Sequence, residues 1–496
     1  MERMQESGIN ITMSAYYEPD KLARMYIETY FVWDADEGKP IEQLGEIRCR
    51  GEFKLKYWRG DFYIWHKGRY TLVSDGDMKA DIVKHLQWLN QYSYYKPDPQ
   101  IKITKGFVEN IMLNIAALDG VFIQDWREMN TWQPNPASSE DFAVTSGKIT
   151  TSFLNGLVLF DINNGKPEFI AHTPAYFSMI RLPYNYDAAA RCPRWEAFLD
   201  DVMTGDSQRI ELLQEWAGYV LSDTLKLQKF MLLAGEGGNG KTVFTTIIEK
   251  MVGEDNVSHI PLSSFDKPFT LSATLGKSLN STSESSHGLS ELCETMLKSY
   301  TSGDRMTFER KYREPVNAYP TAKEMISTNQ LPNFTDKSNG IWRRLLFVPF
   351  DKCVPVEEQN PDLVEELSAE LPGIFNWAIE GLRKLMADGP STTLRTGRFI
   401  EPKRCVEAIA EYRRETNPAR VFLEENYVED FGFEGIPCGE MYQNYLSWCN
   451  QNGFRNPLNS SNFGKEVKRS FSKMERKNIR TGRKQNWVYR GICIKG

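Results

Sequence analysis

Hydrophobic residues recur with two periods along this chain, and each change of period marks a change of element. Near the start, Phe53-Lys54-Leu55-Lys56-Tyr57 alternates apolar with basic side chains. Phe62 to Trp65 is rich in aromatics, and Arg59-Gly60-Asp61 and Lys67-Gly68 supply turns, so this stretch predicts antiparallel strands. Met78 to Trp88 and Gly106 to Leu118 carry helical spacing. Leu157 to Ile162 and Glu168 to Ile170, separated by Asn163-Asn164-Gly165-Lys166, predict a hairpin. Trp195 to Met203 and Ser207 to Leu221 predict two helices. Phe230 to Ala234 is a short unbroken apolar run, as expected of a parallel strand buried on both faces. After it, Val243, Phe244, Ile247, Ile248 and Met251 place one apolar side on a helix. Leu363 to Met386 reads as helical, and Pro134 to Ser139 and Asp388 to Thr393 read as a loop and a linker.

Towards the C-terminus, Tyr442, Tyr445, Leu446 and Cys449 share one helical face, which Asn452-Gly453 ends. Asn459 to Asn462 caps a second helix with Phe463, Val467 and Phe471 on one side and Lys465, Lys468, Arg469 and Lys473 on the other. Ile479 to Tyr489 predicts a hairpin with a basic turn at Arg483 and Lys484. Helix, turn, basic helix and basic hairpin form a winged-helix pattern suited to duplex or fork phosphates.

These shifts divide the 496 residues into an α+β region (1–130), a segment with two helices (131–225), an α/β core (226–355), a helical extension with a linker (356–395) and a basic C-terminal domain (396–496). Hydrophobic content of 41% with 25% charged residues fits globular domains with packed cores. No apolar run is long enough to span a bilayer, and no secretory signal is expected. Eight scattered cysteines without a CxxC pair argue for reduced thiols, a cytoplasmic setting and no zinc site. The net charge of −6 hides an asymmetry. From Ser460 onward eleven Lys/Arg face two Glu, leaving about +9 there and about −15 elsewhere. A basic module on an acidic body suggests a polyanion partner.

The sharpest signal is Gly235-Glu236-Gly237-Gly238-Asn239-Gly240-Lys241-Thr242, which fits GxxxxGK[ST] at every fixed position between an apolar run and a helix. Glycines let backbone N–H groups turn around phosphate oxygens, and the helix N-terminus adds positive partial charge. Lys241 can reach the β- and γ-phosphates and Thr242 can ligate Mg²⁺, so the pattern calls for ATP and Mg²⁺ as cofactors.

Further motifs follow in order: Leu275 to Glu284, Met296 to Asp304, Glu309-Arg310-Lys311-Tyr312-Arg313, Lys323 to Asn333, and Gly340 to Phe350 with Arg343 and Arg344. In that order they resemble superfamily 3 helicases of the AAA+ class, and within them the phage, plasmid and poxvirus primase-helicases. Leu182 to Asp187, Cys192 to Trp195 and Leu213 to Tyr219 are similar to that family's segment ahead of its core. The resemblance covers roughly Thr173 to Phe350 and extends to the C-terminal domain.

The resemblance implies an AAA+ P-loop core, a mixed α+β N-terminal region, a helical collar and a C-terminal winged helix. It assigns Glu284 to holding Mg²⁺ through water or orienting the attacking water. It makes Asn329 a γ-phosphate sensor. Arg344, or Arg343 close behind it, becomes a finger reaching a neighbouring subunit's ATP. Lys311, Tyr312 and Arg313 fall where related helicases carry a pore hairpin that grips a strand. The implied activity is ATP-dependent translocation on single-stranded or forked DNA by a homohexameric ring, in replication of a phage, plasmid or other mobile element. A separate primase or polymerase is an implied partner, and a membrane is not. The sequence departs from the family at Ser278 to Ser283, which is polar where an apolar buried strand is usual. This leaves open a slow ATPase that serves as a nucleotide-stabilised initiator or clamp. Trp33-Asp34-Ala35-Asp36 has the DxD spacing of a two-metal primase, but the turn-like Glu37 to Pro40 reads as a solvated loop.

Overall fold

The computed structural model describes residues 17–32, 53–92, 97, 100–133, 148–161, 167–284, 289–329, 332, 334, 339–386, 397–415, 417–430, 432, 435–454, 457–481 and 484–495. The 134–139 loop, the 388–393 linker and Trp33 to Asp36 lie outside the described residues.

Alternation near the start yields an antiparallel sheet. Helix α1 (Pro19–Tyr30) precedes strands β1 (Leu55–Trp58), β2 (Asp61–His66) and β3 (Arg69–Val73). Both turns have two central residues at positive φ, Arg59-Gly60 and Lys67-Gly68, the geometry that matches strand twist. Helices α2 (Asp75–Tyr92) and α3 (Lys105–Ala117) close one core with α1 through Leu22, Ile27, Ile82, Leu86, Ile111 and Ile115. Next come β4 (Thr131–Trp132), β5 (Ile149–Ser152), β6 (Leu157–Phe160), β7 (Pro167–Ile170) and β8 (Tyr176–Phe177). Strands β5, β6 and β7 form a meander containing the expected hairpin, and β4 pairs with β8.

Helices α4 (Pro193–Val202) and α5 (Ser207–Leu221) lead into the core: β9 (Phe230–Ala234), α6 (Lys241–Val252), β10 (Val257–Ser258), β11 (Leu279–Glu284), α7 (Glu291–Ser302), β12 (Met306–Arg310), β13 (Arg313–Ala318), β14 (Lys323–Thr328), α8 (Asn339–Trp342) and β15 (Leu345–Pro349). Five of these strands make a parallel sheet in the order β10-β11-β14-β9-β15. Phe230, Met231, Leu232 and Leu233 of β9, flanked by β14 and β15, are fully buried, and each such side chain contributes about 1.5–3 kcal/mol.

The polar run at 278–283 does enter the parallel sheet as β11, buried through Thr282 with Ser283 exposed, against the expectation that such a strand be apolar. Its Asn280 is satisfied on all sides. The side-chain amide donates to Ile260 O and Glu324 Oε2 at 2.8 Å, and its oxygen accepts from Ser258 Oγ and Ile260 N at 2.8 Å. A buried polar group costs little once its hydrogen bonds are made.

The stretch 363–386 is helical as expected, in two pieces: α9 (Leu363–Ser368) and α10 (Leu371–Met386). Pro372 fits only the first turn of the second. The break frees Glu370, whose carboxylate accepts from the N–H groups of Arg194 and Trp195 at the start of α4. Helix α10 lies directly on α5. A Cβ at Gly218 would sit 2.3 Å from Ala378 O, and one at Gly381 would sit 2.2 Å from Gln214 O. The helices before and after the parallel sheet therefore pack as one layer beside it.

The C-terminal part contains α11 (Lys403–Glu415), α12 (Pro418–Asn426), β16 (Tyr427–Glu429), β17 (Ile436–Pro437), α13 (Cys438–Gln451), α14 (Ser460–Ser470), β18 (Glu475–Thr481), β19 (Lys484–Arg490) and β20 (Ile492–Ile494). Asn459 caps α14 as expected, accepting from Asn462 N at 2.9 Å. Strands β18 and β19 form the hairpin, extended by β17. Among the described residues no helix is long and apolar enough to cross a membrane.

Candidate functional site

In a parallel sheet, ligands gather beyond the carboxyl ends of the strands, where the chain leaves in opposite directions on either side. Strand β9 is such a point. The chain runs from it to the far edge at β10, returns through β11 and β14, and crosses to β15 on its other side. The glycine-rich loop leaves β9 there. Gly237, Gly238 and Gly240 have φ of 113°, 60° and 86°, which side chains with a Cβ rarely adopt. The loop is braced from below. Asn239 Nδ2 donates to Phe350 O at 3.1 Å, and Val354 N donates to Gly238 O at 2.7 Å.

Lys241 begins α6 and is 4% exposed. Its ammonium donates to Gly235 O at 2.7 Å and Asn239 Oδ1 at 2.8 Å. Burial pushes its pKa below the usual lysine value. Thr242 is exposed beside it. Both line a cleft of about 920 Å³ with Gly237 to Gly240, Ser283 from β11, Thr328 and Asn329 from the end of β14, Phe198 and Val202 from α4, and Val354, Glu358, Gln359, Asn360 and Leu363. That size suits a nucleotide-sized ligand. Asn329 is exposed at its mouth. Glu284 ends β11, in register with Thr328 of β14, so its backbone stands one residue past Ser283 of the cleft wall. The apolar wall formed by Phe198, Val202 and Leu363 has no signature in the motif itself, because those residues arrive from α4 and α9.

The two arginines differ. Arg344 is 6% exposed, with Nη1 donating to Gly340 O at 2.7 Å and Nη2 to Ser302 Oγ at 2.5 Å. Burial lowers its pKa. Arg343 is exposed. The preference for Arg344 as a residue reaching outward runs against this geometry, since its fork is already held inside the subunit.

The β12–β13 hairpin has Lys311 and Tyr312 at its tip. Tyr312 is 93% exposed at φ 60°, with the Lys311 ammonium 5.1 Å from its ring centroid. Arg313, expected to project with them, instead forms an ion pair with Asp61 of the N-terminal sheet, as does Arg310. The sequence carries no signal for that contact, since Asp61 lies some 250 positions away.

In the C-terminal part, Lys465, Lys468 and Arg469 are exposed on α14, opposite buried Phe463 and Val467. Arg469 pairs with Glu466 at 3.3 Å. Arg483 lies outside the described residues, and Lys484 opens β19. Sequence reasoning missed Trp487, half-exposed on that hairpin with the Arg476 guanidinium 4.8 Å from its ring centroid.

Comparison with known proteins bears on both ends of this arrangement. Residues 233–344 match a family of unknown function (DUF5906), and residues 416–496 match the RFX DNA-binding domain. Over 283 residues, 51% of this chain, the sequence is 24% identical to a protein of Acanthamoeba polyphaga mimivirus provisionally named helicase L207/L206, of which 28% is covered. Over 108 residues, 19% of this chain, it is 26% identical to the uncharacterized mitochondrial protein ymf21 of Marchantia polymorpha, of which 60% is covered. The chain thus spans less than two thirds of either relative. Among solved structures, the apo C-terminal region of NrS-1 (305–718) aligns with a TM-score of 0.50 at 12% identity, covering 95% of this chain and 99% of that one. That likeness speaks to the fold. The chain is accordingly similar, over about half its length, to a viral protein named as a helicase, and over its basic C-terminal part to a DNA-binding domain.

Proposed function

We propose that this chain is an ATP-driven DNA helicase of the superfamily 3, AAA+ type, a ring-forming motor in the replication of a virus, phage, plasmid or similar element. The observation that carries the reading is the cleft at β9, where Lys241, Thr242 and Asn329 surround one nucleotide-sized space. The mimivirus relative and the RFX match support it. The two-helix layer of α5 and α10 would serve as the collar, and α12 to β20 as a winged helix.

In this reading Lys241 releases Gly235 O and Asn239 Oδ1 and turns to the β- and γ-phosphates. Asn239 stays anchored to Phe350 O, so the loop keeps its shape. The oxygen donors of Thr242 and Glu284 suit a hard cation such as Mg²⁺, which supplies charge neutralisation on the phosphates when bound. Asn329 donates its amide to the γ-phosphate. Arg343, being free to reach outward, is the finger that serves a neighbouring subunit, which requires a closed head-to-tail ring. Lys311 and Tyr312 grip a strand by phosphate contact and stacking, both independent of base sequence. Lys465, Lys468, Arg469, Arg483 and Lys484 bind fork or duplex phosphates.

The test is ATP turnover with and without single-stranded DNA. Stimulation by DNA that Lys311→Ala removes, with basal turnover spared, is the expected result. Tight DNA binding with negligible and unstimulated turnover would instead favour a nucleotide-stabilised clamp.

A further inference from the structure

A second cleft, of about 540 Å³, lies between the β1–β2 turn and the β12–β13 hairpin and shares no lining residue with the nucleotide cleft. Four guanidiniums line it, from Arg59, Arg305, Arg310 and Arg313, against the carboxylates of Asp61, Asp75, Asp125 and Glu314. Asp61 is its centre. One of its oxygens accepts from Arg310 Nη1 and the other from Arg313 Nη1, and its side chain is 5% exposed. Arg59 is engaged elsewhere, with Glu128 Oε1 at 2.6 Å and Asp125 O at 3.0 Å. Arg305 is exposed on the rim and has no ion pair among the described residues.

Two guanidiniums converging on the two oxygens of one anion is an arrangement that also fits a phosphodiester. The arginines flank Lys311 and Tyr312 on the same hairpin. While Asp61 is in place the four positive groups meet four negative ones, so an approaching strand gains little from the cleft's net charge. A phosphate gains most by taking the position of the Asp61 carboxylate.

We propose that this cleft is a phosphodiester-binding site for a single nucleic-acid strand, and that Asp61 fills it as an internal stand-in when no strand is bound. The inference rests on the DNA reading of the hairpin and brings into it a residue of the N-terminal sheet. Strand binding then exchanges one anion for another between Arg310 and Arg313, with Arg305 taking a neighbouring phosphate. Loss of the Asp61 charge leaves two partly buried guanidiniums short of an anion, which a strand can supply.

The experiment is fluorescence anisotropy of a labelled oligo-dT with the full chain, without nucleotide, across a salt series. Asp61→Asn is expected to bind about tenfold tighter, with a salt slope steeper by roughly one phosphate contact. Arg305→Gln is expected to bind several-fold weaker, with a slope shallower by about one. Asp61→Asn should also melt at a lower temperature than the parent, and oligo-dT should restore it more than inorganic phosphate at equal phosphate concentration. Unchanged or weaker oligonucleotide binding by Asp61→Asn overturns the proposal, as does full rescue by inorganic phosphate alone. If Asp61→Asn does not fold, an unchanged slope in Arg305→Gln overturns it. DNA-stimulated turnover in the parent chain, alongside an unaltered affinity in Asp61→Asn, would sink the stand-in role and leave the helicase reading intact.

Discussion

Replacing Lys241 by Met separates what the ammonium does for the empty loop from what it does for a bound nucleotide. In the free protein the ammonium makes two hydrogen bonds, to Gly235 O and Asn239 Oδ1, both neutral acceptors. Their loss costs about 1–3 kcal/mol for the acceptors left without a donor. The same substitution removes a buried charge whose pKa is already depressed by desolvation, and the Met side chain fills the space of the lysine stem. These effects oppose each other, so stability without nucleotide should change by no more than about 1 kcal/mol. With nucleotide the balance differs. One unit charge about 4 Å from another at an effective dielectric of about 20 is worth roughly 4 kcal/mol. Nucleotide affinity should therefore fall by about a thousandfold. Turnover should be abolished, because charge grows on the phosphate oxygens as the bond breaks. Calorimetric titration with a non-hydrolysable ATP analogue and Mg²⁺, beside a melting curve of the empty protein, measures both. An affinity within about threefold of the parent's would refute the argument that Lys241 turns from the loop to the phosphates.

Three further outcomes follow from the geometry. If Asn329 is the γ-phosphate sensor proposed above, Asn329→Ala should lower turnover about a hundredfold or more while nucleotide affinity stays within a few-fold; equal losses in binding and turnover would count against the sensor role. Arg344→Ala should destabilise the chain by about 1–3 kcal/mol in a denaturation titration, through the partners left at Gly340 O and Ser302 Oγ, whereas Arg343→Ala should leave stability unchanged and lose turnover only in the assembled protein. Burial pushes the Lys323 ammonium from 10.5 down to about 8. The unfolded chain therefore binds the extra proton between those values, the penalty is full below about pH 8, and stability rises with pH across the window by about 3 kcal/mol. Lys323→Met, followed by melting at pH 7 to 10, should flatten that rise, and an unchanged slope would show that Lys323 does not carry it.

Local information was enough for the elements whose residues answer to their neighbours in sequence. The 207–221 helix, the turns at Arg59-Gly60 and Lys67-Gly68, the capped α14 and the apolar β9 all follow from period, glycine placement and capping chemistry. The glycine-rich loop was legible for the same reason, since its pattern sets the positive-φ glycines and the start of α6 within eight consecutive residues. Strand β11 was harder to read, because its polar side chains become acceptable only when Ser258, Ile260 and Glu324 are brought around Asn280. The helix pair α5–α10 depended on Gly218 and Gly381 each meeting the backbone of the other helix, with the whole parallel sheet between them in sequence.

What the sequence determined by itself was therefore the local pattern: a glycine-rich loop of GxxxxGK[ST] form, a helix with one basic face, and a hairpin tip with a lysine beside an aromatic ring. The tertiary structure decided which charged groups are free to act. Arg344 is spent on Gly340 and Ser302 while Arg343 is exposed, and Arg310 and Arg313 are held by Asp61. A charge is available or committed according to the partner that folding sets beside it, and partners some 250 residues apart leave no periodicity, spacing or propensity in the chain from which that pairing can be read.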